Sequence, residues 1–272
     1  MTLYIVGTPI GNLSDISERC LNTLRTVDFI AAEDTRVTRK LLTRFDIHTP
    51  TLSYHEHNSR ERGEQIVSRL LKGETCALVT DAGMPAISDP GEHLVALCHE
   101  RGIKTEVIPG PSAVTAALAA SGMPSARFTF EGFLPMDKKE RRTLLEELAT
   151  EKRTMIFYEA PHKLVTTLKD LYKALGDRDV ALVRELTKIH EEVVRTTLSE
   201  ASARYDTQPP RGEFVLIVKG HEPEPQPQKS YTPEEALALA RDYMEKGLNK
   251  TKAAKEAARM TGYEKEEIYK QL

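Results

Sequence analysis

Between Thr75 and Gly91 the chain reads TCALVTDAGMPAISDPG, a short apolar run that stops abruptly and gives way to a loop of Gly, Pro, Ser and Asp. Cys76 to Val79 is too short for a surface helix and is bounded by turn formers. That predicts a strand of a parallel sheet, buried on both faces. In open α/β sheets ligands bind beyond the carboxyl ends of strands, so Asp81 to Gly91 falls where a ligand would sit. Gly83 and Gly91 permit close backbone approach, Pro85 and Pro90 stiffen the loop, and Ser88 and Asp89 offer polar contacts. Alone, the stretch is equally a strand-to-helix connection with generous turn chemistry, since Asp-Pro-Gly is a common turn sequence. Two similar loops change the reading: Gly7-Thr-Pro-Ile-Gly11 after a strand at Leu3 to Val6, and Pro109-Gly-Pro-Ser-Ala113 after a strand at Thr105 to Ile108. Gly/Pro loops at three strand ends predict one shared site.

The periodicity extends this pattern in both directions. A helix capped by Ser14 or Asp15 carries Ile16, Cys20, Leu21 and Leu24 on one face. A strand at Phe29 to Ala32 runs into Glu33-Asp34-Thr35-Arg36, and Asn58 with Glu61 reads as a capping box for the helix of Ile66, Val67, Leu70 and Leu71. Strand and helix alternate to Ser121, which calls for a parallel sheet covered on both faces. From 122 to 221 the order is again mixed α/β but less regular, ending in the strand Phe214 to Lys219. Residues 222–231 are Pro-rich and polar and read as an extended linker, and 232–272 as a helical module opened by Thr232 at the cap and Pro233 at the first helical position. The expected organisation is therefore an N-terminal α/β domain (1–121), a C-terminal α/β domain (122–221), a linker and a small helical module.

At 272 residues there is length for two cores, and the net charge of −3 gives no global nucleic-acid signature, so RNA binding would need a local basic face. Two candidates are the runs Lys138, Lys139, Arg141, Arg142 and Lys246, Lys250, Lys252, Lys255, Arg259, although both can equally be solvated helix faces. Cys20, Cys76 and Cys98 are odd in number and widely spaced, which suits a reducing cytoplasm. No charged leader or membrane-length apolar run is present, so a soluble, non-exported protein is expected.

The loop chemistry excludes some ligands. Asn12 and Leu13 stand where a phosphate-binding P-loop needs Lys and Ser/Thr, and no Gly-x-Gly-x-x-Gly turn with an acidic ribose partner is present. A cofactor with an amino-acid tail and a purine, held by backbone groups of several loops, suits these turns better. Glu33, Asp34, Arg36 and Lys40 form a more chemical group, with Arg36 and Lys40 on one helix face; carboxylates beside cations could orient a ribose hydroxyl against phosphate contacts. The same pattern also fits Asp34 as a helix cap with solvated cations. Strand alternation would send His55 and His57 to one side, with no third ligand spaced for a metal. His55 is thus a candidate base or RNA contact, or a loop histidine without chemistry.

With these residues in hand, VGTPIGNL, AAEDTR, TDAGMPAISDPG and IPGPSA resemble the ribosomal RNA small-subunit methyltransferase I family of the tetrapyrrole-methylase superfamily, over essentially the whole chain. The resemblance implies a homodimer of two α/β domains that binds S-adenosylmethionine between them and methylates the ribose 2′-oxygen of a cytidine in small-subunit ribosomal RNA. It carries cofactor contacts onto Pro9, Gly83, Met84, Pro85, Ile87, Ser88, Ser112 and Ala113, and less directly onto Tyr158, Arg184 and Gly212. Glu33, Asp34, Arg36 and His55 are the candidates for catalysis on the RNA side, and no metal is expected. A tetrapyrrole-type small-molecule methylase and a non-catalytic RNA-binding assembly factor are the rival readings. The AEDTR block, the His-rich loop and the tail argue against the first.

Overall fold

The computed structural model describes residues 1–222 and 231–272; most of the Pro-rich spacer lies outside the described residues. Met1–His221 form one compact unit that carries two sheets, and Glu222–Leu272 form another.

The first sheet takes its strands from β1 (Thr2–Val6), β2 (Phe29–Ala32), β3 (Thr51–Ser53), β4 (Thr75–Val79) and β5 (Lys104–Ile108), in the order β3-β2-β4-β1-β5. Every pairing is parallel, with Ile5 opposite Leu78 and Val107. Parallel strands need crossovers, supplied by α1 (Glu18–Thr26), α2 (Thr35–Arg44), α3 (Ser59–Leu71) and α4 (Glu92–Glu100). The helices α1 and α2 close one face around Val6, Leu24, Ile30 and Leu42. The helices α3 and α4 close the other around Leu3, Phe29, Leu70 and Leu94. Ala77 and Leu78, adjacent in β4, therefore each reach a different core, which is why that strand is continuously apolar.

Two helix starts differ from the sequence reading. Ser14 and Asp15 lie in a single 3-10 turn, and Ser17 caps α1 by accepting from the Cys20 amide at 3.1 Å. The Asn58 side chain does not cap α3. Its Oδ1 accepts from the His55 amide at 2.9 Å instead, closing a 3-10 turn over Glu56–Asn58, so strict alternation never reaches His57.

The second sheet contains β6 (Phe128–Gly132), β7 (Thr154–Glu159), β8 (Asp179–Arg184), β9 (Glu192–Thr197) and β10 (Phe214–Val218), in the order β6-β7-β10-β8-β9. Only β6 and β7 pair in parallel. The last strand, β10, enters antiparallel between β7 and β8, with Leu216 facing Phe157 on one side and Leu182 on the other. Its five residues FVLIV are all buried, as a central strand requires. One face is covered by α6 (Lys138–Leu148), α7 (Pro161–Leu175) and α8 (Leu198–Thr207). The other takes α5 (Ala113–Ser121), whose Val114, Ala117 and Leu118 pack against Ile156, Ala181, Val183 and Ile217. Read from sequence as the close of the first domain, α5 thus lays its small-residue surface on the second sheet, and Gly122 ends it in a left-handed cap.

The C-terminal unit consists of α9 (Pro233–Glu245), α10 (Lys250–Thr261) and α11 (Lys265–Gln271) around Ala236, Ala240, Ala254, Ala257 and Ile268. Thr232 and Glu235 form a reciprocal capping box and Pro233 holds the first helical position. None of the described helices is long and apolar enough to cross a membrane.

Candidate active site

Three loops at the carboxyl ends of β4, β1 and β5 are tied together by their backbones. Gly7 donates to the Ile108 carbonyl at 3.1 Å, and Thr8 and Gly83 exchange two hydrogen bonds, Thr8 N to Gly83 O at 2.9 Å and Gly83 N to Thr8 O at 3.1 Å. Thr8, only 2% exposed, also donates its hydroxyl to the Thr80 carbonyl at 3.2 Å. The join lies where the crossovers leave in opposite directions, α1 and α2 over one face and α3 and α4 over the other, which is the expected ligand position in such a sheet.

Beyond these loops opens a cleft of about 290 Å³. From the first half of the chain it is lined by Ile10, Ala82, Gly83, Met84, Ile87, Ser88, Asp89, Ser112 and Ala113. The second sheet contributes Phe133, Tyr158, Glu159, Ala160, Val183, Leu186, Lys188, Glu213, Phe214 and Val215. Seven of the residues singled out for cofactor contact therefore meet here: Gly83, Met84, Ile87, Ser88, Ser112, Ala113 and Tyr158. Pro9, Pro85, Arg184 and Gly212 stand beside lining residues without lining the cleft themselves. The Arg184 guanidinium is engaged with Glu192 at 3.0 Å, and Gly212 (φ 81°) makes room for the Glu185 side chain, which a Cβ there would meet at 2.5 Å.

Backbone strain gathers at this cleft. Ala86 (φ 67°) and Ser88 (φ 61°) lie in the β4 loop, and Glu185 (φ 50°) and Thr187 (φ 65°) in the loop after β8. Side chains in this region cost about 1–3 kcal/mol each, so they persist only where surrounding contacts dictate them, and such places cluster at functional sites. On the second loop the surrounding contacts are visible: Lys188 Nζ bridges Glu185 at 2.9 Å and Glu213 at 2.7 Å, and the Thr187 amide donates to Glu191 at 2.6 Å.

The wall at the end of β7 is built differently. Glu159 is 3% exposed, and its carboxylate accepts from the Ala160 amide at 2.8 Å and from the Thr167 hydroxyl. Thr167 accepts in turn from Arg141 Nη2 at 2.9 Å, while Arg141 Nε donates to Asp170 at 2.7 Å. A buried carboxylate at the cleft is thus satisfied by a chain of bonds leading out between α6 and α7, as burial of a charge demands.

Acidic groups crowd the neighbouring strand ends. Glu33 accepts from the Thr80 hydroxyl at 2.5 Å, and the Asp34 amide donates to Asp81 at 3.2 Å. Burial, followed by the charges of Glu33 and Asp81 and opposed by a hydrogen bond from Thr80, pushes the Asp89 carboxyl up to about 6. Tyr158 across the cleft is raised to about 12, first by burial and then by Asp89. Asp34 goes the other way: hydrogen bonds from the Arg36 side chain and amide hold it well below the usual range, at about 2. It accepts from the Arg36 amide at 2.8 Å, Nε at 3.1 Å and Nη2 at 2.7 Å, leaving the 84%-exposed Arg36 side chain turned to solvent. His55 lies at the end of the edge strand β3, two strands from the cleft, with Nε2 3.2 Å from the Asn58 amide nitrogen. The four residues singled out for catalysis therefore line the same sheet margin as the cleft but lie outside it.

Residues 2–202 match the family model of tetrapyrrole (corrin/porphyrin) methylases. A ribosomal RNA small subunit methyltransferase I of Synechocystis is 47% identical over 98% of this chain and 95% of its own length. The chain belongs to the ribosomal RNA small subunit methyltransferase I family, within the tetrapyrrole methylases. A family relative of the same name from Halalkalibacterium halodurans is 48% identical over 98% of this chain and 93% of its own length. A third, from Thermotoga maritima, is 49% identical across 99% of its own length but only 81% of this chain, a span of 220 residues close to that of the Met1–His221 unit. The methylase fold is further matched by solved structures of a cobalt precorrin-4 methyltransferase (TM-score 0.60, 22% identity, 80% of this chain and 94% of that one) and a diphthine synthase (TM-score 0.64, 16% identity, 81% and 92%). On the cleft's second wall sequence reasoning reached Tyr158 but missed Phe133, Glu159, Lys188 and Glu213, which come from separate strands with no local motif.

Proposed function

We propose that this protein transfers a methyl group from S-adenosylmethionine to the ribose 2′-oxygen of a cytidine in small-subunit ribosomal RNA, acting in the cytoplasm as a homodimer. The observation that carries the reading is the cleft itself, where the Gly83–Ser88 backbone and the N-terminus of α5 face an apolar wall of Val183, Leu186 and Val215. The donor set fits the proposed cofactor. Ser112 makes no capping bond with its own side chain, so its hydroxyl and the first-turn amides of α5 can receive a carboxylate. The apolar wall suits a purine, and Asp89 and Glu159 favour a positively charged centre. Substrate class rests on the relatives named as ribosomal RNA methyltransferases, 47–49% identical to this chain. Three buried, unpaired cysteines suit a reducing compartment.

Bound S-adenosylmethionine supplies a methyl group already activated on a sulfonium. The protein's task is then to align an incoming hydroxyl and to accept its proton. The Asp89 carboxyl at the cleft, pushed up to about 6, can stay ionised at pH 7 and still take a proton readily. Asp34 is better suited to holding Arg36 toward an RNA phosphate than to accepting a proton, because its oxygens are already filled by Arg36. Glu33 fixes Thr80 beneath Asp89, and His55 stands further along the margin as an RNA contact.

The test is methyl transfer from labelled donor to deproteinised small-subunit RNA, intact small subunits and a tetrapyrrole, assayed in parallel with the labelled nucleoside identified after digestion. A label on a cytidine ribose supports the proposal. Transfer to the tetrapyrrole alone, or RNA binding without transfer, would replace it with one of the rival readings.

A further inference from the structure

A second depression, of about 800 Å³, runs between α6 and α7. It touches the wall of the cleft at two places. Phe133 lines the cleft while Pro135 and Met136, two and three residues on, line the groove; Glu159 and Ala160 line the cleft while His162 and Lys163 line the groove. On α7 the groove residues Lys163, Thr167, Asp170 and Lys173 recur at three- and four-residue steps and form one stripe, about 15 Å long at 1.5 Å per residue.

The groove's charge is one-sided. Its two acids are already committed, Asp170 to Arg141 at 2.7 Å and Glu146 to Arg142 at 3.6 Å. Arg141 also reaches inward to Thr167, and so belongs to the bond chain that fixes Glu159. Lys138, Lys163 and Lys173 have no ion-pair partner among the described residues and leave the groove positive. The C-terminal unit differs, with as many acids as bases from Tyr231 to Leu272. Lys246 there is paired with Asp242, Arg259 with Glu256, and Lys250 lies over the Tyr269 ring. At the junction of groove and cleft stand Met136, 74% exposed, and Phe133, 55% exposed and edge-on to Tyr158 at 5.6 Å. A basic track ending at an exposed aromatic ring is the arrangement that binds single-stranded nucleic acid without reading its sequence, cations meeting phosphates and the ring meeting a base.

We propose that the groove between α6 and α7 holds the phosphate backbone of the substrate RNA strand flanking the target nucleotide and leads it past Phe133 into the cleft. This rests on the proposed function above and names the surface through which that substrate is held. The experiment compares the full-length protein with a triple variant, Lys138→Ala, Lys163→Ala and Lys173→Ala, using small-subunit RNA across a salt series together with donor-binding calorimetry and sedimentation. Loss of three phosphate contacts should raise KM for RNA at least tenfold and flatten the slope of log affinity against log salt by about 2, as expected for about 0.7 per contact on a single strand. The rate at saturating RNA, the donor affinity and the oligomeric mass should stay at wild-type values. An unchanged RNA affinity and salt slope would overturn the inference. So would loss of self-association at unchanged RNA affinity, which would assign the groove to a second copy of the chain. Failure of the wild-type protein to methylate any small-subunit RNA would sink the functional reading itself, and shows before a variant is made.

Discussion

Gly7 and Gly110 lie backbone against backbone: a Cβ built on either would stand 2.7 Å from main-chain atoms of the other. This contact seats the β5 loop on the β1 loop and with it sets the start of α5 over the cleft. Gly110→Ala should force the two loops apart, costing about 1–3 kcal/mol as overpacking does. Donor affinity should fall at least tenfold while the circular-dichroism spectrum stays native. Calorimetry beside a thermal melt separates the two effects, and wild-type affinity in the variant would contradict the placement.

Asp89 should make donor binding and stability depend on pH in opposite directions. Its carboxyl takes a proton near 6, with Glu33, Asp81 and Tyr158 as the facing titratable groups, so above pH 6 it presents a negative charge to a cationic donor. Affinity should rise several-fold between pH 5 and 7.5. Stability should do the reverse. A carboxyl whose folded pKa is raised binds more protons in the native state, so its contribution is lost as pH climbs from about 4 through 6. Asp89→Asn should flatten both profiles and melt above wild type at pH 7.5, by about 1 kcal/mol after allowance for solvent at a half-buried site. Titration calorimetry and melts at both pH values check the pair.

Asp34 and Arg36 should behave as one unit on the RNA side. Asn is as good a helix cap as Asp, so Asp34→Asn keeps α2 but loses the charged fork that holds Arg36. Both Asp34→Asn and Arg36→Ala should leave donor affinity unchanged and raise KM for RNA several-fold, with a smaller effect on kcat. A fall in kcat alone for Asp34→Asn would instead mark Asp34 as the proton acceptor.

Thr167→Val should strip Glu159 and Arg141 of their shared hydroxyl while keeping the side chain's shape. A buried carboxylate left short of a donor costs about 1–3 kcal/mol or more. Urea denaturation should show that loss, and a midpoint equal to wild type would mean another donor replaces the hydroxyl.

A chain ending after His221 should fold and still methylate, since the cleft and the groove both belong to the first unit and the Thermotoga maritima relative matches only a comparable length. With as many acids as bases from Tyr231 to Leu272, the helical module should add less than tenfold to RNA affinity. Unfolding of the shortened chain, seen by circular dichroism, would refute this.

What could be read from the sequence followed from local punctuation. The strand β4 and the loop behind it were legible because an apolar run meets Gly, Pro and Asp within a few residues, and α9 because Thr232 and Pro233 spell out its start. Leu198–Thr207 was not read as a helix: only Leu198, Ala201, Ser202 and Tyr205 are buried, too sparse and too small a stripe to stand out. The β4 loop was visible as a ligand loop, whereas Lys188 was not, because its place at the cleft depends on Glu185 and Glu213, the latter 25 residues away. The basic run at Lys138 to Arg142 was visible, but its division was not. Arg141 turns inward to Asp170 and Thr167, and Lys163 and Lys173 join the outer face only once α7 is laid beside α6.

The position of β10 sets the order in which the chain can mature as it leaves the ribosome. The first sheet has all its strands once residue 108 has emerged and β5 can pair with β1. The second sheet cannot close until Phe214–Val218 arrive to fill the gap between β7 and β8. Until then two strands expose unpaired inner edges, and Phe214 and Val215 are missing from the cleft. A stalled nascent chain released before this point would carry a finished first sheet and sticky strands behind it, a substrate for chaperones rather than for RNA.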